Sequence, residues 1–274
     1  MEQLRAAGLL NRGYIYAFDE SKEDYADALR LLFGEVKRRW PEVSTLSVLN
    51  WPPTPDLTQY LDIWVTLFPN LDEPSFKSAQ TVFQNAGKQV WGYHCVAPSQ
   101  PQYLNTFLDV PSAKSRTLPL VGALHNLTGW LFWYTNWGSR HAASATDSAT
   151  GQMVALSELS DEGRSSYDPI VGPMDPEGRP LPDHSTNEDG NWVYAGLPDG
   201  TGGGEPLASQ RLELWRLGME DLALLQLLGP HDARELAQRL VRSAVDYTFN
   251  ATLLEETRAE AVARLLAQQP QCAI

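Results

Sequence analysis

An α/β fold with a parallel sheet is the fold class that the sequence predicts, on three observations. In the first half of the chain, short apolar runs of strand length alternate with segments of helical periodicity, which is typical of parallel α/β architectures. The first run ends in two adjacent carboxylates, Asp19 and Glu20, just before a helical segment, and in α/β barrels that end of a strand carries the chemistry. The last part of the chain has a helical pattern, so C-terminal helices are expected after the α/β part.

The first strand and helix are predicted from the residues around this acidic pair. Residues 13–18 have the length and aromatic content of a short buried strand. Ser21 is then predicted to begin a helix, with Asp24 as its capping-box partner, and Pro41 is predicted to end it. The apolar face of this helix is predicted at Tyr25, Ala28, Leu29, Leu32, Val36 and Trp40.

The following elements continue the alternation. Strands are expected at 44–49, 62–68, 89–95 and 129–135, and helices at 74–86, ended by Gly87, and at 113–127, weakened by Pro119. The segment 139–189 is rich in Ser, Asp, Gly and Pro and lacks periodicity, which predicts a loop insertion over the active face.

Three helices are predicted in the C-terminal part. Pro206 is expected to begin the first, which runs to Leu228, and Thr252 with Glu255 is expected to form the capping box of the last. The apolar stripe of the middle helix is predicted at Ala233, Leu236, Ala237, Leu240, Val241, Ala244 and Val245. Arg211 is expected to be the centre of a structural ion-pair group with Glu213, Glu220 and Asp221.

The number of strands leaves two interpretations open. About five strands are predicted, whereas a closed (β/α)8 barrel has eight. Either the barrel is incomplete, or the other strands lie in a missing N-terminal part.

Composition excludes several classes of function. The net charge of −13 argues against nucleic acid and anionic membranes as partners. No apolar stretch has the length of a membrane span, and the first ten residues lack the pattern of a signal peptide. The five histidines show no metal-ligand spacing, and no nucleophile elbow or phosphate loop is present. No metal or cofactor is therefore predicted.

Aromatic residues beside polar ones indicate a carbohydrate ligand. The chain has nine Trp and ten Tyr, several of them in polar contexts such as 91–94, 133–137 and 191–194. A sugar ring has an apolar face and a polar rim, which suits such surfaces. Ordinary core packing is the alternative for at least half of these aromatic residues.

The acidic pair also has two interpretations. Asp19 and Glu20 either form part of a catalytic site or only place negative charge at a helix N-terminus, where it is favourable.

The order of several short motifs resembles glycoside hydrolase family 123 and its relatives, which include β-N-acetylgalactosaminidases. The resemblance covers about residues 8–228, and no single motif is decisive. The motifs are Tyr16-Ala-Phe-Asp-Glu20, Asp62-Ile-Trp-Val65, Val90-Trp-Gly-Tyr-His-Cys95, Gly129-Trp-Leu-Phe-Trp-Tyr-Thr-Asn-Trp137, Asp189-Gly-Asn-Trp-Val-Tyr-Ala-Gly196 and the segment 209–221. One departure is Ser21, where a proline commonly follows the Asp-Glu pair in these relatives.

The resemblance implies a TIM-barrel-like fold in which the acidic pair follows the fourth strand. The chain would then hold about strands 4–8 of the barrel, as a partial catalytic domain over 1–228 with the 139–189 insertion. Residues 229–274 would form a helical extension packed on it. Full-length relatives of this kind are expected to be secreted or periplasmic.

The resemblance also implies a substrate-assisted mechanism with unequal roles for the two carboxylates. Glu20 would be the acid/base, and Asp19 would orient the 2-acetamido group of the sugar, whose oxygen attacks the anomeric carbon to give an oxazolinium ion. Tyr93 and Tyr134 are candidate donors to the acetamido oxygen, Asn136 is a candidate reader of a hydroxyl, and candidate floors for the sugar ring are Trp91, Trp133 and Trp137. His94 is expected to be a core or rim histidine.

The leading hypothesis is thus a retaining exo-glycosidase for terminal β-linked N-acetylgalactosamine or a related N-acetylhexosamine. One alternative is a catalytically inactive carbohydrate-binding or scaffold remnant of such an enzyme. Another is a glycosidase for a sugar without the acetamido group. A homodimer or a second chain is expected to cover an open barrel edge, since an exposed edge strand promotes aggregation.

Overall fold

The computed structural model describes side chains for residues 2–108, 110–135, 192–193 and 207–268. It also gives the backbone of short strands at 144–146, 153–155, 167–168, 172–173 and 193–194. The chain divides into two compact units, one of residues 1–93 and 125–131, the other of residues 94–124 and 132–274. Among the described helices, none has the length and apolar character needed to cross a bilayer.

The first unit is built on a parallel sheet whose strands follow one another in chain order. The strands are β1 (Tyr14–Tyr16), β2 (Ser44–Val48), β3 (Ile63–Leu67), β4 (Gln89–His94) and β5 (Gly129–Phe132), hydrogen-bonded in the order β1-β2-β3-β4-β5. Strands β1 to β4 are parallel neighbours. A doubly wound sheet reverses its strand order at a switch point, whereas a (β/α)8 barrel keeps chain order. The α/β class is confirmed, and the sheet is consistent with part of a barrel.

The described part of the first unit has three helices, two of which supply buried residues to a core against one face of the sheet. They are α1 (Glu2–Ala6), α2 (Ala26–Arg39) and α3 (Pro74–Asn85), with 3-10 turns at Leu10–Arg12, Glu23–Tyr25, Pro55–Gln59 and Phe68–Asp72. The core on this face centres on Trp64, which is fully buried and packs against Phe76 and Phe83 at ring centroid distances of 6.0 and 5.5 Å. The indole of Trp64 donates to Leu49 O at 3.0 Å, so its one polar group is satisfied.

Two predictions about the start of the chain are wrong. The run 13–18 is not a buried strand, because β1 is an outer strand and its Tyr14 and Tyr16 side chains remain 50% and 44% exposed. The following helix begins at Ala26 rather than Ser21, and no side chain caps it in the described structure. Its buried residues are Leu29, Phe33 and Val36, whereas Tyr25 and Leu32 are exposed.

The second unit is mainly helical in its described part. Its helices are α4 (Ala113–Thr117), α5 (Val121–Leu124), α6 (Gln210–Leu227), α7 (Pro230–Ala237) and α8 (Ala251–Gln268), with a 3-10 turn at Leu118–Leu120. Short antiparallel pairs join β6 (Ser144–Thr146) to β7 (Met153–Ala155), β8 (Tyr167–Asp168) to β9 (Gly172–Pro173) and β10 (Val193–Tyr194) to β11 (Leu207–Ala208). The predicted 139–189 insertion lies largely outside the described residues.

The predicted helix at 113–127 is instead divided into α4 and α5 by the 3-10 turn that contains Pro119, and it ends at Leu124. Three boundaries of the C-terminal helices also differ from the sequence prediction. Residues 207–208 pair as a strand, so α6 begins later, with Ser209 Oγ accepting from Leu212 N at 3.1 Å. The middle helix, α7, ends at Ala237, before the end of the predicted apolar stripe. The last helix is capped by Asn250, whose Oδ1 accepts from Leu253 N at 3.1 Å, rather than by Thr252.

Among the described residues, a buried ion-pair group centres on Asp221 rather than on the predicted Arg211. Asp221 accepts from Arg116 at 2.8 Å and from Arg258 at 2.5 Å. Glu213 and Glu220 instead pair with Arg216, at 2.9 and 2.5 Å. The buried Arg211 donates to Thr106 O at 2.8 Å. Helical spacing alone does not show which arginines pair with Asp221, since Arg116 and Arg258 lie on other helices.

His94 lies in an aromatic cluster of the second unit. Its ring stacks on Phe132 at 4.6 Å and on Trp215 at 5.4 Å, and Nε2 lies 3.0 Å from Thr106 Oγ1. Full burial lowers the pKa of His94 to about 3, because desolvation disfavours the imidazolium. The prediction that His94 is a core histidine is confirmed.

A partly buried ion-pair group makes the stability of the first unit depend on pH. Asp62 contacts the ammonium groups of Lys37 and Lys88 and accepts from Thr45 N at 2.9 Å. Burial alone would raise the pKa of Asp62, but the lysines and the Thr45 N–H outweigh it and hold the pKa below its usual value. The group therefore contributes stability above the unfolded pKa of about 3.9, and this is lost as the pH falls through the folded pKa.

We accordingly expect Asp62→Asn to reduce the free energy of unfolding by about 1–3 kcal/mol at neutral pH. Between neutral and acid pH, the free energy of unfolding of this variant should also fall less than that of the parent chain. Urea denaturation at about pH 7 and about pH 3 measures both effects. Asp24→Asn, at an exposed position on the Glu23–Tyr25 turn, is the matched control. An equal loss of stability at both pH values for Asp62→Asn would contradict this account.

Candidate active site

Polar side chains of the first unit collect where its parallel strands end. Asp19 and Glu20 follow β1, Asn50 follows β2, Asn70 follows β3, and Tyr93 is the fifth residue of β4. The carboxyl ends of parallel strands share one edge of the sheet, the edge at which α/β barrels carry their active sites.

The backbone that presents the two carboxylates has an unusual conformation. Phe18 and Glu20 both have positive φ, at 60° and 48°, a region that costs free energy for residues other than glycine. Two side chains hold the segment: Ser47 Oγ donates to Phe18 O at 2.8 Å, and Trp51 Nε1 donates to Ser21 O at 2.9 Å. The direction in which Asp19 and Glu20 leave β1 is therefore fixed by contacts from β2 and the residue after Asn50.

Tyr16 holds the Asp19 carboxylate. The Tyr16 hydroxyl donates to Asp19 Oδ1 at 2.6 Å. Partial burial and this hydrogen bond raise the pKa of Tyr16 well above its usual value, so the phenol remains a donor at any physiological pH. Asp19 is itself exposed, which leaves its second oxygen accessible for a ligand.

Tyr93 holds the Glu20 carboxylate. The buried Tyr93 donates its hydroxyl to Glu20 Oε1, and Glu20 is exposed. Three strand spacings separate β1 from β4, which would be about 14 Å in a flat sheet. Direct contact between residues from these strands requires the sheet to curl, as it does in a barrel.

The same curl brings Trp91 over the start of β1. The register places Tyr16, Leu46, Ile63 and Gln89 in one row, so Trp91 and Tyr93 share the face on which Tyr14 and Tyr16 lie. Trp91 packs edge-to-face on Tyr14 at 6.0 Å and donates to Gln89 Oε1 at 3.0 Å. A Cβ on Gly129 would lie 2.4 Å from the Trp91 ring, so glycine at this position allows the indole to lie against β5.

The four other predicted ligand residues lie outside the first unit or outside the described residues. Trp133 and Tyr134 belong to the second unit, where their ring centroids are 5.7 Å apart and Trp133 is 43% exposed. Asn136 and Trp137 lie outside the described residues. The sugar-binding roles of Trp91, Tyr93, Trp133 and Tyr134 stay predictions.

Sequence reasoning missed two residues of the site, Tyr16 and Asn50. Tyr16 was included in the apolar first run and in the motif that ends at Glu20, but it was given no role in the site, although its position three residues before Asp19 allows the contact. Asn50 follows a predicted strand directly, as Asp19 does, and that shared placement is a signal which identifies it.

The chemistry of the site is that of carboxylates and phenols. Two oxygen acids lie side by side, each held by a tyrosine hydroxyl from a different strand. In the described part of the chain, one group has metal-ligand proximity, formed by the partly exposed His231, Asp232 and Glu235, and it lies in the second unit. The acidic pair is thus suited to proton transfer and to orienting a polar ligand group.

A sheet of barrel type with paired carboxylates at the carboxyl ends of its strands defines a catalytic α/β unit of the kind that glycosidases use. Residues 1–228 match the family model described as glycoside hydrolase 123, catalytic domain. The chain belongs to this family of glycoside hydrolases, as its motifs predicted.

A solved structure gives a second comparison. A family 123 glycoside hydrolase from Clostridium perfringens, whose structure addresses glycolipid glycan hydrolysis, matches with a TM-score of 0.60 and 14% sequence identity. The match covers 97% of this chain and 44% of the other, so the chain spans less than half the length of that relative. At this identity the likeness concerns the fold. A search of curated proteins gave no match.

Proposed function

We propose that this chain carries the acidic pair of a retaining exo-glycosidase for terminal β-linked N-acetylgalactosamine or a related N-acetylhexosamine. The observation that carries the proposal is the fixed presentation of Asp19 and Glu20 together, with Tyr16 on the first and Tyr93 on the second. Membership of family 123 supports the general reaction, hydrolysis of a glycosidic bond.

The adjacency of the two carboxylates favours substrate assistance over a protein nucleophile. In most retaining enzymes the two carboxyl groups lie about 5–5.5 Å apart on opposite sides of the bond that breaks. Neighbouring residues on one strand end approach the sugar from the same side. A 2-acetamido group supplies its own nucleophile, so the protein then needs one proton donor and one group that orients the amide.

The two tyrosine contacts support different roles for the carboxylates. Asp19 accepts from a phenol that remains protonated, which fixes the orientation of the carboxyl group so that it can accept the acetamido N–H and balance an oxazolinium charge. Glu20 is the proposed acid/base: it protonates the leaving oxygen and then activates the water that opens the ring. The anomeric carbon is inverted twice, so the configuration is retained.

The experiment compares two substrates that differ only at carbon 2, 4-nitrophenyl N-acetyl-β-galactosaminide and 4-nitrophenyl β-galactoside. We expect the chain to release nitrophenol from the first at least about 100-fold faster, because an intramolecular nucleophile is far more effective than external water. Equal rates would contradict substrate assistance and favour a different task for Asp19. Binding of N-acetylgalactosamine without turnover of either substrate would favour a carbohydrate-binding remnant.

A further inference from the structure

Asn50 lies at the centre of a hydrogen-bond group that joins the ends of β2, β3 and β4. Its Oδ1 accepts from Leu67 N at 3.0 Å, from Asn70 Nδ2 at 3.3 Å and from Thr66 Oγ1 at 3.4 Å. Its Nδ2 donates to the Tyr93 hydroxyl oxygen at 2.6 Å. All these residues belong to the first unit.

The chemistry of the partners fixes the orientation of the Asn50 amide. Leu67 N is a backbone donor and cannot accept a hydrogen bond, so the oxygen of the amide must face it. The Asn70 amide nitrogen also lies on that side. The NH2 group of Asn50 must therefore point to Tyr93, and the Tyr93 oxygen must accept.

The Tyr93 hydroxyl has one proton to donate. Because its oxygen accepts from Asn50 Nδ2, that proton must point away from Asn50. With its oxygen occupied by the Asn50 N–H, Tyr93 directs its own O–H to Glu20 Oε1. Successive donors of this kind polarise one another, which strengthens the final bond. The donor-to-acceptor direction of this series of hydrogen bonds is thus fixed by Leu67 N, and its last acceptor is the Glu20 carboxylate.

We propose that Asn50 is a positioning residue that acts through Tyr93 to hold a proton donor on Glu20. The role in turnover rests on the proposed function of Glu20 as acid/base. A donor on this oxygen restricts rotation of the Glu20 carboxyl group, so that the group keeps one orientation for proton transfer to the leaving oxygen and from water.

The test replaces the Asn50 donor while keeping its acceptor. Asn50→Asp retains an oxygen for Leu67 N but presents a second oxygen to Tyr93, which then donates to the new carboxylate instead of Glu20. The Glu20 carboxyl carbon is followed by ¹³C NMR in glutamate-labelled protein and assigned through Glu20→Gln. We expect its chemical shift at neutral pH to change in Asn50→Asp and in Tyr93→Phe, because Glu20 Oε1 loses the Tyr93 hydrogen bond in both variants.

A double variant separates action through Tyr93 from the direct effect of the added charge. In the Tyr93→Phe background, Asn50→Asp is expected to add less than about half of its original shift, because the intermediary is absent. Asn70→Ala is the matched control: it removes one donor to Asn50 Oδ1, leaves Leu67 N in place, and should leave the Glu20 chemical shift unchanged.

The same change in chemical shift in both backgrounds, or no change in Tyr93→Phe, would overturn the proposal. The NMR measurement needs no substrate, so it decides the role of Asn50 even if the chain shows no turnover. Absence of turnover with the expected changes in chemical shift would count against the proposed function alone. Thermal unfolding of each variant, followed by circular dichroism, verifies that the chemical shifts are compared between folded proteins.

Discussion

Glu20→Gln is expected to lower kcat for 4-nitrophenyl N-acetyl-β-galactosaminide by about 10²–10⁴-fold, the usual contribution of a positioned acid/base. An amide has nearly the shape of the carboxyl group but neither delivers a proton to the leaving oxygen nor takes one from water. Glu20 is exposed and receives its described hydrogen bond from Tyr93. The substitution should therefore leave the fold unchanged, as thermal unfolding would verify.

The leaving group and a nearby glutamate provide the controls for this result. A 2,4-dinitrophenyl leaving group departs with little protonation, so the first step should be much less affected by Glu20→Gln with that substrate. Glu23→Gln changes another exposed carboxylate, on the 3-10 turn before α2, and should leave kcat unchanged. Equal activity of Glu20→Gln and the parent chain would contradict the assignment of the acid/base.

Asp19→Asn is expected to have the second large effect, a fall in kcat of about 10²–10³-fold, because it removes a charge that faces the developing oxazolinium ion. Tyr16 can still donate to the amide oxygen, so the contact at this position is kept while the charge is lost. The effect should appear mainly in kcat, since the oxazolinium charge develops in the transition state rather than on binding.

Asp24→Asn is the matched control for this charge, because Asp24 is exposed and lies five residues further along the chain. Steady-state kinetics of both variants on the same substrate separates a specific role of Asp19 from a general loss of negative charge. A fall confined to affinity, with kcat unchanged, would contradict the proposed role.

The strands and their order could be predicted because their patterns are local. The runs at 44–49, 62–68 and 89–95 contain apolar residues at half or more of their positions, and the ends of each observed strand lie within one residue of the predicted ends. The first run shows the limit of this reasoning. Its aromatic content predicted burial, but Tyr14 and Tyr16 lie on an outer strand and remain half exposed. The burial of a strand depends on which strands lie beside it in the sheet, and the local sequence pattern does not contain that information.

The helix beginnings and the supporting residues of the site depend on tertiary contacts. Ser21 has the sequence pattern of a helix cap, yet positive φ at Glu20 and the Trp51 contact with Ser21 O keep this segment outside the helix. Asp19 and Glu20 were identified because two carboxylates after a strand are visible in sequence. Asn50 was missed, since its importance comes from Tyr93, 43 residues away.

The most direct test of substrate assistance varies the nucleophile within the substrate itself. A series of 4-nitrophenyl β-galactosaminides is prepared with acetyl, fluoroacetyl, difluoroacetyl and trifluoroacetyl groups on nitrogen, and kcat/KM is measured for each. Each fluorine withdraws electrons from the amide oxygen, so the account predicts a steep, progressive fall in kcat/KM along the series. A rate independent of fluorine content, or no turnover of the parent acetyl substrate, would contradict it.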